Sequence, residues 1–251
     1  MNINSSDLEK QDFLNFYATN LRNTADQDYI SARMSYRANL IEPFLWSSLH
    51  AVEKYLKAIL LFTGRTTFND NGRSYSHNIC DLLNAVEDFD EIDLRLTERA
   101  RLFIKYLNEY GPNRYFDKQA HLQEYALDEL DETVWYIRRQ CYVKIGWGNI
   151  SRRDPIISEE NPRKYGRLPS PGFLEKVLDE QSFAYEHLTW DNWFYGEGEV
   201  DRENIRKKQY KFSVINSALP YYGKMAFDVL NDYVSFSAET KKYFKVIKLI
   251  D

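Results

Sequence analysis

The positions Leu45, Leu49, Val52, Leu56, Ile59 and Thr63 recur at three- and four-residue steps. That is the period of one face of an α-helix, and over about five turns it is the strongest periodic signal in the chain. Such a helix belongs in the core. Pro43 stands where a first helical turn tolerates a missing N–H. Upstream, residues 7–22 and 24–40 read as two helices broken at Asn23-Thr24, with Thr24 or Asp26 capping the second. On that second helix Tyr29, Ala32 or Arg33, Tyr36 and Leu40 share a face.

Asn69-Asp70-Asn71-Gly72 spells a turn, and Ser76 is the expected cap of a helix carrying Ile79, Leu82, Leu83 and Val86. A further helix, 95–109, presents Leu96, Ala100, Phe103, Ile104 and Leu107 and is stopped by Gly111-Pro112. From Asp117 to Val143 the pattern Leu122, Tyr125, Ala126, Leu130, Val134, Ile137, Cys141 predicts one long helix. Gly148, Pro155, Pro162, Gly166, Pro169, Pro171 and Gly172 then interrupt every period. Helical stripes return at 173–190, 221–233 and 238–250, the last capped by Ser237, while 206–216 reads equally as a strand or as the end of a helix. The expectation is an all-α protein: an up-and-down helical bundle over 1–146, an irregular connector over 147–172, and a mainly helical C-terminal extension over 173–251.

With 251 residues and 43% hydrophobic content, the chain can bury one core, or one core and a smaller subdomain. Its 19 tyrosines and 15 phenylalanines against 10 glycines and 7 prolines favour helices with aromatic contacts over a turn-rich β fold. The net charge of −5 argues against a surface wholly given to nucleic acid. The charge is uneven: 17 Lys plus Arg stand against 22 Asp plus Glu in residues 1–150, and 16 against 16 beyond, so a cationic surface is expected in the C-terminal part. The longest apolar run, Ala58 to Phe62, is far below the roughly 18–20 residues of a membrane span. Met1 to Lys10 lacks the basic start and apolar middle of a secretion signal, so the expectation is a cytoplasmic protein with no membrane partner. Cys80 and Cys141 stand alone on helical patterns, as reduced core thiols or as a disulfide, and neither has a second ligand at zinc spacing.

Three segments go further. Phe44 to Gly64 contains Glu53-Lys54-Tyr55-Leu56-Lys57-Ala58 before its glycine; His77 precedes the pair Leu82-Leu83; and Asn113-Arg114-Tyr115 comes before the last bundle helix. In this order and spacing, over residues 24–146, they resemble a HEPN domain. The resemblance implies a HEPN-like helical bundle and, for many members, a metal-independent endoribonuclease of a prokaryotic toxin–antitoxin or defence system. It implies that Arg114 and His121, six residues intervening, are the catalytic pair, with Asn113 beside them at the substrate. The chemistry suits these residue types. Histidine moves a proton near neutral pH, and a fixed cation stabilises the extra charge on a pentavalent phosphate. The resemblance also implies a homodimer that brings two such pairs into one cleft, and a cognate nucleotidyltransferase or antitoxin protein as partner. The alternative is a non-catalytic HEPN module that binds a nucleotide, a nucleotidyltransferase or another protein, in which Arg114-Tyr115 is structural. A tyrosine two places after the histidine, seen in some toxin members, is replaced by Gln123, so regulation through that tyrosine is not implied here.

The remaining candidates are weaker. His50 reads either as part of an acid–base cluster with Glu53 and Lys57 or as a hydrogen-bonded packing residue. His77 reads as a helix-start residue, or with Arg73 as an anion contact. The four histidines are scattered, so no metal and no cofactor is expected. Two basic groups interleave with aromatics: Arg163, Lys164, Tyr165, Arg167, and Arg206, Lys207, Lys208, Tyr210, Lys211, Phe212. Such a mixture suits backbone contact and base stacking on single-stranded RNA, making Arg206, Lys207 and Lys208 candidate substrate contacts, and it also suits an ordinary solvated face. No glycine-rich phosphate loop, nucleophile elbow or Cys-x-x-Cys pair is present.

Overall fold

The computed structural model describes residues 5–90, 92–112, 120–122, 124–142, 167–168, 170–197, 201–209, 213–215, 218–232, 236, 240–242 and 244. It is mostly helical. Helix α1, Ser5–Arg37, is a single helix of 33 residues, about 50 Å long, where the sequence suggested two. The expected break fails because Thr24 does not cap: its hydroxyl donates to the carbonyl of Asn20, one turn back, at 2.9 Å, and the helix runs through. On the same stretch Arg22 is drawn inward to the carbonyls of Cys141 (3.2 Å) and Ser170 (3.1 Å), and Asp26 to the buried partners described below. The helix ends at Asn39, which takes the left-handed conformation (φ 59°), and Leu40 N–H closes onto the carbonyl of Ser35 at 2.8 Å.

Helix α2, Ile41–Phe62, runs back along α1 and is the centre of the core, with Leu45, Leu49, Val52, Leu56 and Ile59 all buried, as the periodic stripe predicted. It stops at Gly64 (φ 75°). There Arg65 N–H reaches the carbonyl of Leu60 and Gly64 N–H that of Leu61, the paired bonds of a glycine-terminated helix. Helix α3, Ile79–Glu87, is capped by the Asn78 side chain, not by Ser76, which sits at φ 52° in the preceding turn. Helix α4, Glu98–Tyr110, is capped by Thr97 and stopped at Gly111, where a Cβ would lie 2.9 Å from the Leu49 side chain.

The largest departure follows. The expected helix over 117–143 is in fact strand β1, Ala120–Leu122, followed by helix α5, Ala126–Arg138. β1 pairs antiparallel with β2, Ser213–Ile215, in the register Ala120↔Ile215, His121↔Val214, Leu122↔Ser213. A backbone partner 91 to 95 residues away outweighs a local helical pattern, because propensity is worth only tenths of a kcal/mol per residue, roughly, against a paired ladder and the burial of Leu122. The undecided stretch 206–216 turns out to hold both alternatives, the end of helix α8, Arg202–Gln209, and then β2.

The extension shares the bundle's core. Helix α6, Phe173–Glu180, and helix α7, Tyr185–Thr189, split the expected 173–190 helix at Gln181 (φ 45°). Leu174, Val177, Leu188, Phe194 and Tyr195 belong to the same buried cluster as the α2 stripe. Two interior ionic networks fix this contact. In the first, Arg138 lies between Asp26 of α1 (2.7 Å) and Glu175 of α6 (2.7 Å), with all three side chains buried. Asp26 also accepts from Tyr55 Oη (2.6 Å) and from the backbone N–H of Leu174 (3.1 Å). Burial alone would push the Glu175 carboxyl up, but its bonds from Arg138 and from the N–H groups of Leu168 and Gly172 hold it down at about 2. In the second, Arg33 is paired with Asp131 and donates to the carbonyls of His187 and Trp190. Tyr29 donates to Asp131 (2.6 Å) and accepts from Asn192 (2.9 Å).

Helix α9, Ala218–Leu230, is broken at Gly223 (φ 59°), and Phe227, Phe236 and Phe244 form a small separate cluster. Of the expected 238–250 helix, 240–242 and 244 are helical, and the rest lies outside the described residues, as does most of 147–172. Both cysteines are free thiols, which settles that alternative. Among the described residues no helix is long and apolar enough to cross a membrane.

Candidate functional site at the start of α5

Of the residues picked from the sequence, His121 lies on the segment that leads into α5. Asn113 and Arg114 lie outside the described residues. His121 is the middle residue of β1, its backbone held opposite Val214 and five positions ahead of Ala126. An arrangement with 114 and 121 two turns apart on one helix is therefore excluded.

The first turns of α5 carry Asp128, Glu129 and Glu132, and the partners of Asp128 and Glu132 come from α8 and from the N-terminal end of α4. Arg202 grips Asp128 through two bonds of 3.0 Å and reaches Glu132 at 2.8 Å. Arg206 Nε stands 3.3 Å from Asp128, and its guanidinium lies 4.2 Å above the Tyr125 ring. Arg99 adds a contact of 3.9 Å to Asp128, and Thr97 donates to Glu132 at 3.0 Å. Of the three basic candidates on α8, Arg206 is thus turned inward, with a side chain only 13% exposed. Lys207 and Lys208 are exposed, Lys208 within 3.4 Å of Asp191.

Glu129 differs from its neighbours. Its Oε2 is buried and has no hydrogen-bond partner among the described residues. Burial, reinforced by the charges of Asp128 and Glu132 and opposed by Arg99 and Arg206, pushes its carboxyl up to about 7. A carboxyl that titrates near neutrality is able to exchange a proton at working pH. Sequence reading missed it. In sequence the doublets Asp128-Glu129 and Asp131-Glu132 fall between the apolar positions of the stripe, as on a solvated face, and only the tertiary fold buries them.

A second polar cluster lies on α2. His50 and Glu53 sit three residues apart on one face, and the loop from Gly64 to Asn78 returns His77 to them. His77 Nδ1 is 2.9 Å from Glu53 Oε2, and Lys57 Nζ is 2.5 Å from Glu53 Oε1. The two imidazoles stack at 5.3 Å, with the Trp46 ring 4.1 Å from His50 and 5.2 Å from His77. One donor atom from each of His50, Glu53 and His77 falls within 4.8 Å of the other two, the one such group among the described residues that could hold a metal ion. The expectation that the histidines are scattered fails here, because the third ligand arrives through a loop and no sequence spacing announces it.

Residues 18–134 match the family model of the HEPN domain, from within α1 to within α5. No curated protein and no solved structure matches the chain.

Proposed function

We propose, from the match of residues 18–134 to the HEPN domain model, that the chain is a metal-independent endoribonuclease of a prokaryotic toxin–antitoxin or defence system, working in the cytoplasm as a homodimer. The observation that carries the reading is the family match, which spans the whole segment from Arg114 to His121 and ends inside the helix that follows it. In the proposed reaction a ribose 2′-oxygen attacks the adjacent phosphorus and the 5′-oxygen leaves. His121 takes or gives the proton, and Arg114 stabilises the doubly charged pentavalent phosphate. The products are a 2′,3′-cyclic phosphate and a free 5′-hydroxyl. Asn113 contacts the substrate, and Lys207 and Lys208 supply exposed cations for the RNA backbone, with Arg206 committed to Asp128.

Anchoring of the His121 backbone by β2 supports the reading, since a proton-transfer group must be held in place and this strand pairing is remote in sequence. The dimer brings two Arg114–His121 pairs to one cleft, and a nucleotidyltransferase or antitoxin protein is the proposed cognate partner. Light scattering should give twice the 29.9 kDa chain mass for active protein. An active monomer would sink the shared-cleft arrangement.

The second reading is a non-catalytic HEPN module that binds a nucleotide or a protein. It is favoured by one feature: Arg202 and Arg206, beside the start of α5, are engaged by the buried carboxylates of Asp128 and Glu132 and so are not free to meet an RNA phosphate. Replacing His121 or Arg114 with Ala separates the two. The enzyme should lose about 10²- to 10⁴-fold in cleavage rate with unchanged helical circular dichroism, whereas the module has no cleavage to lose and retains its ligand.

A further inference from the structure

We propose that His50, Glu53 and His77 form a binding site for one divalent transition-metal ion of the zinc class, with a fourth position open to water or to an outside ligand. The donor set is two imidazoles and one carboxylate, a combination that suits zinc and its neighbours and leaves calcium and magnesium, which want oxygen cages, poorly served.

Geometry is close to what the ion needs. Ligand bonds of about 2.0–2.1 Å in a tetrahedral site put donors roughly 3.3 Å from one another. Here the three donor atoms lie within 4.8 Å of one another, and His77 Nδ1 and Glu53 Oε2 are already at 2.9 Å. Small side-chain rotations complete the set. The ion would replace the proton now shared between His77 and Glu53.

Each ligand is held for the role. His50 and Glu53 are fixed three apart on α2, a helix at the centre of the core. His77 is delivered by a braced loop, with Phe68 bridged to Ser74, the Asn69 side chain accepting from Asn71 and Arg73 N–H, and the Asn78 cap immediately following. Lys57 binds the carboxylate oxygen that His77 does not, so it orients Glu53 from outside as partners of metal ligands commonly do. Trp46 walls both imidazoles.

A second, independent sign points to a missing partner. His50 Nε2 is buried and has no hydrogen-bond partner among the described residues, a costly state for a ring nitrogen that a bound ion would relieve. Access is provided on the other side, where the His77 side chain is 41% exposed. The site draws on α2 and on the loop before α3, not on β1 or the start of α5, so it is separate from the residues proposed for RNA cleavage. Removing the ion with a chelator would empty it while leaving that chemistry in place.

The test uses the full-length protein, free of any polyhistidine tag, stripped with chelator and titrated with Co²⁺ as the optical probe and then with Zn²⁺. One equivalent of Co²⁺ per chain should give the intense visible bands of a low-coordinate nitrogen and oxygen site, and Zn²⁺ should quench them. His50→Gln and His77→Gln should each weaken Zn²⁺ binding, read by competition with a chromophoric chelator, by at least about tenfold. His77→Gln alters an exposed loop residue, so it remains informative if His50→Gln fails to fold. Absence of the bands in the wild-type protein, or Zn²⁺ binding to His77→Gln as tight as to wild type, would overturn the proposal.

Discussion

Glu129 is the residue whose state most depends on conditions. Its carboxyl has an ordinary value of 4.5 and is raised to about 7 in the folded chain. The folded state therefore binds this proton more tightly than the unfolded state, so Glu129 favours folding below about pH 4.5, and its contribution falls away as pH rises to about 7. Glu129→Gln, which keeps the shape without the charge, should stabilise the protein at pH 8 by roughly 1–3 kcal/mol, the upper figure being the full shift converted and the lower allowing for partial exposure. The gain should shrink towards zero at pH 5. Chemical denaturation at the two pH values measures this, and a gain that does not depend on pH would show that Glu129 is not raised. The sequence singles out Arg114 and His121 by type and order, and groups His50 with Glu53 and Lys57. It could not see that Glu129 is buried or that His77 returns to α2, because both are products of tertiary contact.

At the scale of elements, the helices whose stripes bury in one core were legible: α2, α3 and α4 stand where periodicity puts them, to within a few residues. The failures share a cause. The 117–143 pattern gave up its first part to pairing with 213–215, and the break at Asn23-Thr24 vanished because Arg22 and Asp26 find partners inside. In both cases a remote interaction outweighed a local preference. Helix α8 shows the same effect on function, since the run Arg206-Lys207-Lys208 looks uniformly basic in sequence but faces two ways in the fold. Arg206→Ala is therefore expected to lower thermal stability by uncovering Asp128, while leaving the salt dependence of RNA binding nearly unchanged. Lys207→Ala with Lys208→Ala should do the reverse, flattening the slope of log affinity against log salt by about 0.7 for each single-strand phosphate that the variant no longer neutralises. Filter binding across a salt series, together with melting curves, separates them. An unchanged slope in the double lysine variant would remove α8 from the RNA surface.

For the whole molecule, the bundle and residues 173–195 share one interior, so the segment that matches the HEPN model is not self-sufficient. Removing everything after residue 165 would deprive Arg138 of Glu175 and Arg33 of the carbonyls of His187 and Trp190, and would expose the face that Leu174, Val177, Leu188, Phe194 and Tyr195 cover. A buried charge that loses its partner costs about 3–5 kcal/mol, a large part of the stability of a typical domain. The 1–165 fragment should therefore show no cooperative thermal transition, and a sharp transition near that of the full chain would mean that the extension is an appendage. The function rests on a narrower point, the chemistry at His121. Purified full-length protein should be incubated with single-stranded RNA in excess EDTA and the fragment ends identified. The expected result is cleavage that leaves 2′,3′-cyclic phosphate and 5′-hydroxyl ends, and none with His121→Ala. RNA that stays intact, or ends bearing a 5′-phosphate that form only when metal is restored, would contradict it.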